Sequence, residues 1–258
     1  MKKHPFHTSA QREIVRTPRS QGVGPFGAGF SLLLITSLIG LLPIARTAHA
    51  ARPMITDDAR IVDGKACQLE SWMNKYVDRT EAWALPACNF TGNLELTLGG
   101  TTTPESGGAE TTGIVMQGKT LFRKMEVNGW GSGLAAGTIV RPVPDTQDWY
   151  AYLLNSFSFR DDAVVLHTNL GWLRPGETRD NRMTWGVGTE LLVVQRTWLM
   201  AETFGQSQGK PFHQFGVRHW VVQDHVQLDA TYGNRNDFEN GERWFSIGIR
   251  LISLPFLP

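Results

Sequence analysis

The chain has 258 residues, of which 41% are hydrophobic and 19% charged, with 25 Lys+Arg against 24 Asp+Glu. A near-neutral balance with no basic stripe excludes nucleic acid as a partner. After residue 50, no apolar run approaches the roughly 20 residues of a spanning helix, so any membrane crossing must be made by strands.

Residues 1–50 read as an export signal. Lys2, Lys3, Arg12, Arg16 and Arg19 form a basic leader, and Phe30 to Ile44 is a 15-residue mostly apolar run. Ala48-His49-Ala50 then sets small residues where a signal peptidase cuts. The apolar run is short for a membrane anchor and is interrupted by Thr36, Ser37, Gly40 and Pro43. Loss of the leader removes six basic residues (those five and Arg46) and one acidic residue (Glu13). The 25 and 24 become 19 and 23, a net charge of −4.

Residues 51–66 lack periodicity and read as a periplasmic N-terminal arm. From residue 67 to 258 the chain alternates. Strands are expected near 67–77, 80–90, 93–102, 112–123, 129–140, 148–159, 163–173, 182–193, 195–206, 211–220, 225–233 and 242–252. Leu94, Leu96 and Leu98 oppose Asn93, Glu95 and Thr97. Trp185, Val187, Leu191 and Val193 oppose Thr184, Gly186, Gly188 and Glu190. A period of two puts each set on one face of a strand. Most of these segments have about the 10 residues that a tilted membrane strand needs.

The two cysteines, Cys67 and Cys88, fall in the first hairpin. A tight turn near Val77-Asp78 sets Cys67 opposite Cys88 and Trp72 opposite Trp83. Opposed Cα atoms lie about 4.5–5.5 Å apart, within disulfide reach, and export delivers the pair to an oxidising compartment. The connections then alternate. Short ones fall near 91–92, 124–128, 160–162, 194 and 221–224, and longer polar ones at 103–111, 141–147, 174–181 and 234–241. Tight turns on one side and longer loops on the other suit an up-and-down barrel with both termini in the periplasm. Tryptophans at 72, 83, 130, 149, 172, 185, 198, 220 and 244 fall mostly near strand ends, as aromatic girdles do.

In the last hairpin Val226, Leu228, Ala230 and Tyr232, then Phe245, Ile247, Ile249 and Leu251, form one face. Gln227, Asp229, Thr231, Ser246 and Arg250 form the other. A soluble sandwich would turn the apolar set inward, and an outer-membrane barrel would turn it to lipid. The segment lengths favour the barrel: all-β, antiparallel, up-and-down, about 12 strands. Its candidate pore-lining residues are Glu95, Lys119, His167, Glu190, Glu202, Arg218, Asp229 and Arg250, a mixed-charge interior suited to passing polar solutes. The alternatives are a closed structural barrel, plugged by loops or by the 51–66 arm, and a soluble periplasmic β protein that binds a ligand.

No catalytic constellation emerges. Ser132 in Gly129-Trp130-Gly131-Ser132-Gly133 is one position off a nucleophile elbow and lacks its strand-turn-helix setting. His213, His219 and His225 match no zinc spacing. The sequence therefore assigns no metal, no cofactor and no enzymatic activity.

The segment Pro53-Met54-Ile55-Thr56-Asp57-Asp58 resembles a Pro-x-x-Thr-Asp-Asp pattern. Bacterial outer-membrane barrels of the phenol-degradation (MetA-pathway) family often begin their mature part with it. The likeness continues loosely to Trp244–Leu251. It implies a channel-like barrel in the outer membrane whose solutes are small aromatic or hydrophobic molecules. The partners implied are outer-membrane lipid and the barrel-insertion machinery. Many such barrels end on an aromatic residue, whereas Phe256 is followed by Leu257 and Pro258.

Overall fold

The computed structural model describes residues 53–105, 108–235 and 242–258. Twelve strands follow in chain order: β1 (Cys67–Tyr76), β2 (Thr80–Asn89), β3 (Leu94–Glu105), β4 (Gly108–Arg123), β5 (Trp130–Arg141), β6 (Thr146–Phe159), β7 (Val164–Arg174), β8 (Arg182–Val194), β9 (Thr197–Gln206), β10 (Phe212–Val222), β11 (Val226–Arg235) and β12 (Trp244–Ile252). Each pairs antiparallel with its chain neighbours, and β12 pairs with β1 to close the sheet into an up-and-down barrel. Closure removes every sheet edge, so all wall strands find partners on both sides. The widest departure from the expected segments is at β3–β4. Residues 103–111 were expected as a polar loop, yet the ladder continues to Glu105 opposite Gly108. The run is rich in threonine (Thr101 to Thr103, Thr111, Thr112), whose β-branching favours a pleated strand even when polar.

The two faces are the reverse of a soluble sandwich. In β11, Leu228 and Tyr232 are exposed while Gln227, Asp229 and Thr231 are buried. In β12, Phe245, Ile247 and Leu251 are exposed while Trp244, Ser246 and Arg250 are buried. The same division runs through β3, where Leu98 is 62% exposed and Glu95 only 4%. Apolar side chains cover the outside and polar ones the inside, as in a barrel whose solvent is lipid. The tryptophans split between the two faces. Trp130, Trp149 and Trp172 are exposed on the outside, but Trp72, Trp83 and Trp244 line an internal cavity.

The first hairpin has the register read from its sequence: Cys67 opposes Cys88, Trp72 opposes Trp83, and Lys75 opposes Thr80. Cys67 and Cys88 form a disulfide, and the two indoles stack with centroids 5.2 Å apart. Peptide mapping of the unreduced protein is expected to recover the two cysteine segments as one linked species. Recovery of both as free thiols would remove this pairing.

β1 begins and β12 ends at the same end of the barrel. Turns at this terminal end are tight. Arg160, Asp161 and Asp162 all take positive φ (53°, 55° and 63°), reversing the chain between β6 and β7. Aspartate tolerates this left-handed region better than most residues.

Residues 53–66 lie inside the wall. They enter at the terminal end, where the Lys65 N–H donates to the Asn89 carbonyl and the Phe256 N–H to the Lys65 carbonyl. Over its described length the arm thus fills the interior. Its backbone has no ladder to join, so its N–H groups need side-chain acceptors, and the wall supplies them. Ala59 and Ile61 pack with Leu121, Ala135 and Leu154 as the apolar core.

Candidate functional site

The arm is held from root to tip by acceptors on inward positions of the wall. At the root, the Val62 N–H donates to Glu95 at 2.9 Å, and the Asn89 amide donates to the Val62 carbonyl at 2.7 Å. The Ala59 N–H donates to the Ser156 hydroxyl at 2.8 Å. The Asp57 N–H donates to the Asn169 side-chain oxygen at 2.7 Å. At the tip, the Ile55 and Thr56 N–H groups donate to the two oxygens of Glu202, both at 2.8 Å. The Gln214 amide donates to the Pro53 carbonyl at 2.8 Å. Side chains add to this. Lys119 Nζ lies 2.7 Å from Asp57 and 3.3 Å from Asp58. Wall glycines leave the space: a Cβ at Gly186 would run into Thr56, and one at Gly188 into Met54.

The eight residues singled out from sequence all face this interior, each 6% exposed or less. Glu95, Lys119 and Glu202 bind the arm directly. Glu190 is the centre of a buried ion cluster. It accepts a forked pair of bonds from Arg218 at 2.8 and 2.7 Å, with Arg60 of the arm at 3.8 Å. His167 joins that cluster from the other side, with Nε2 3.5 Å from Glu190 and Nδ1 2.7 Å from the Ser156 hydroxyl. The Ser156 hydroxyl thus links the arm to the cluster, accepting the Ala59 N–H and sharing a hydrogen bond with the imidazole. Serine and histidine are fully buried, and the serine hydroxyl bonds the arm. Asp229 stands opposite Arg218 on the neighbouring strand. Arg250 donates to Gln68 at 2.7 Å, with Glu70 at 3.4 Å. These residues are brought together, but they surround a packed arm rather than an open bore. The physical reason is that the arm's carboxylates and N–H groups complement the wall's charges.

Above the arm tip, toward the loop end, a cavity of about 590 Å³ remains. Met54, Ile55 and Asp57 form part of its lining, with Trp72, Trp83, Tyr150, Tyr152, Phe204, Phe212 and Trp244 around it. Phe204 and Phe212 stack at 5.5 Å, and Trp244 meets Phe212 edge-on at 5.9 Å. A second cavity of about 290 Å³ shares Ile55, Tyr150, Tyr152, Phe204 and Phe212 with the first. The arm tip therefore stands between two chambers. Sequence reasoning missed these aromatics because a tryptophan near a strand end reads equally as girdle or as lining. The period of two was the available signal: Trp72 and Trp244 share a face with Glu70 and Ser246.

A closed, twelve-stranded, antiparallel barrel with an apolar outside and a polar inside has the fold of the outer-membrane porins. A "KdgM porin in complex with disordered oligogalacturonate" superimposes with a TM-score of 0.55 at 9% identity, covering 73% of this chain and 99% of that one. A NanC porin does so with a TM-score of 0.53 at 8% identity, covering 74% and 100%. At such identities the likeness is one of fold. Residues 38–252 match the family described as "Uncharacterised conserved protein UCP029691", and the chain belongs to it. No curated protein matches the sequence.

Proposed function

We propose that the protein resides in the outer membrane as a passive channel for small molecules with an aromatic or hydrophobic body, closed at rest by its own arm. The apolar outer wall, the export-type leader and the porin-like fold support the location. The observation that carries the solute class is the aromatic cavity of about 590 Å³, floored by the arm tip. The resemblance of Pro53 to Asp58 to the opening segment of the phenol-degradation barrels points to the same class. That segment is also the plug, which gives its polar residues a structural task.

A second reading, the closed structural barrel, is favoured by the pairing of the interior charges with the arm. Planar-bilayer recording of the refolded protein separates the two. A gated channel is expected to give brief, infrequent, discrete steps whose size grows with salt. A silent bilayer from folded protein, both intact and with the arm loosened, would leave the structural barrel as the function.

A further inference from the structure

We propose that the cavity takes a small organic cation: an ammonium or guanidinium head carried on an apolar body. The inference rests on the cavity described above and goes beyond the solute class already proposed. Its first support is the charge of the lining. Among the described residues, Asp57, Glu70, Glu81, Glu95 and Glu242 face the cavity, against Arg79 and Lys119. Arg250 and Arg235, which stand behind Glu70 and Glu242, reduce this excess without cancelling it.

The second support is a pair of cation sites that the chain fills with its own side chains. The Arg79 guanidinium lies over the Tyr76 ring at 4.0 Å and bonds Glu81 at 2.8 Å. The Arg235 guanidinium lies over the Phe212 ring at 4.6 Å and pairs with Glu242. Tyr76, Arg79, Glu81, Phe212 and Glu242 all line the cavity. Each is an aromatic face with a carboxylate beside it, the arrangement that attracts a desolvated cation. The stacked Trp72–Trp83 pair adds a further aromatic face beside the carboxylate that Arg79 already bonds. Glu81 accepts the Trp83 indole N–H at 3.3 Å, and Glu70 shares the lining.

Calorimetry on the detergent-folded full chain tests the proposal with three probes that share one ring: benzylammonium, benzyl alcohol and benzoate. Benzylammonium is expected to bind about tenfold tighter than benzyl alcohol, as one cation–π contact with a carboxylate neighbour would give, and benzoate weakest of all. The double variant Glu81→Gln/Glu242→Gln is expected to lose that preference while keeping its affinity for benzyl alcohol. Equal or tighter binding of benzyl alcohol by the unmodified protein would overturn the cation reading and leave an apolar pocket. Failure of the correctly folded protein to bind any of the three would overturn it as well. Conductance is a separate readout, so a silent channel that binds benzylammonium separates failure of the channel reading from failure of this one.

Discussion

Glu190→Ala is expected to destabilise the barrel by about 3–5 kcal/mol, the usual cost of removing one partner from a buried ion pair. The carboxylate and the Arg218 guanidinium are each 2% exposed. Deleting the acid takes the forked carboxylate from Arg218 and leaves Arg60 paired with Asp58 at 3.6 Å, in a dry interior. A lost hydrogen bond alone would cost about 1 kcal/mol, so the size of the effect distinguishes the two. Glu190→Gln keeps the shape and one acceptor oxygen and is expected to fall between wild type and alanine. Denaturant unfolding in detergent micelles, followed by tryptophan fluorescence, measures all three. An alanine variant that unfolds at the wild-type midpoint would mean that the cluster is solvated and that the arm is not packed against it.

Much of the wall was legible because the period of two is a local property. A residue's face follows from its neighbours, and the tight turn at Val77-Asp78 carried the register of β1 and β2 as far as the disulfide. The inward position of Glu95, Glu190 or Arg250 followed from the same alternation. What alternation cannot show is what those residues bind across the interior. Ser156 and Ala59 are 97 residues apart, and Thr56 and Glu202 are 146 apart. Such contacts depend on the curvature of the closed barrel, not on any short window of sequence. The sequence leaves the arm's place open, outside the barrel or plugging it, for a related reason. Thr56-Asp57-Asp58-Ala59-Arg60 is polar and aperiodic, which is the signature of a solvated linker. It is also what a plug needs when the surrounding wall offers carboxylates, amides and one lysine. The inner-face glycines at 186 and 188 were visible in the sequence. They marked a close approach without naming Thr56 and Met54 as what approaches.

Loosening that plug carries the largest functional effect expected of this protein. Besides the neutral Asn169 and Gln214, two charged wall residues hold the tip of the arm. Glu202 accepts two of its N–H groups, and Lys119 holds both of its aspartates. The double variant Lys119→Ala/Glu202→Ala removes both anchors and leaves the root bonds of Val62 to Glu95 and Asn89 in place. Charge-assisted hydrogen bonds of this kind contribute about 1.5–3 kcal/mol each. Loss of about 3 kcal/mol from the closed state raises the open-to-closed ratio by about 100-fold, at tenfold per 1.4 kcal/mol. In planar bilayers the expected change is from infrequent brief steps to sustained openings, with step size little altered, because the wall sets the bore. Leu228→Ala, on the lipid-facing side of β11, serves as a control and is expected to leave the openings unchanged. If the double variant folds yet conducts no more than wild type, the arm tip is not the barrier. The Phe204, Phe212 and Trp244 cluster above it then becomes the closure, and the protein is better understood as a sealed barrel with a ligand cavity at one end.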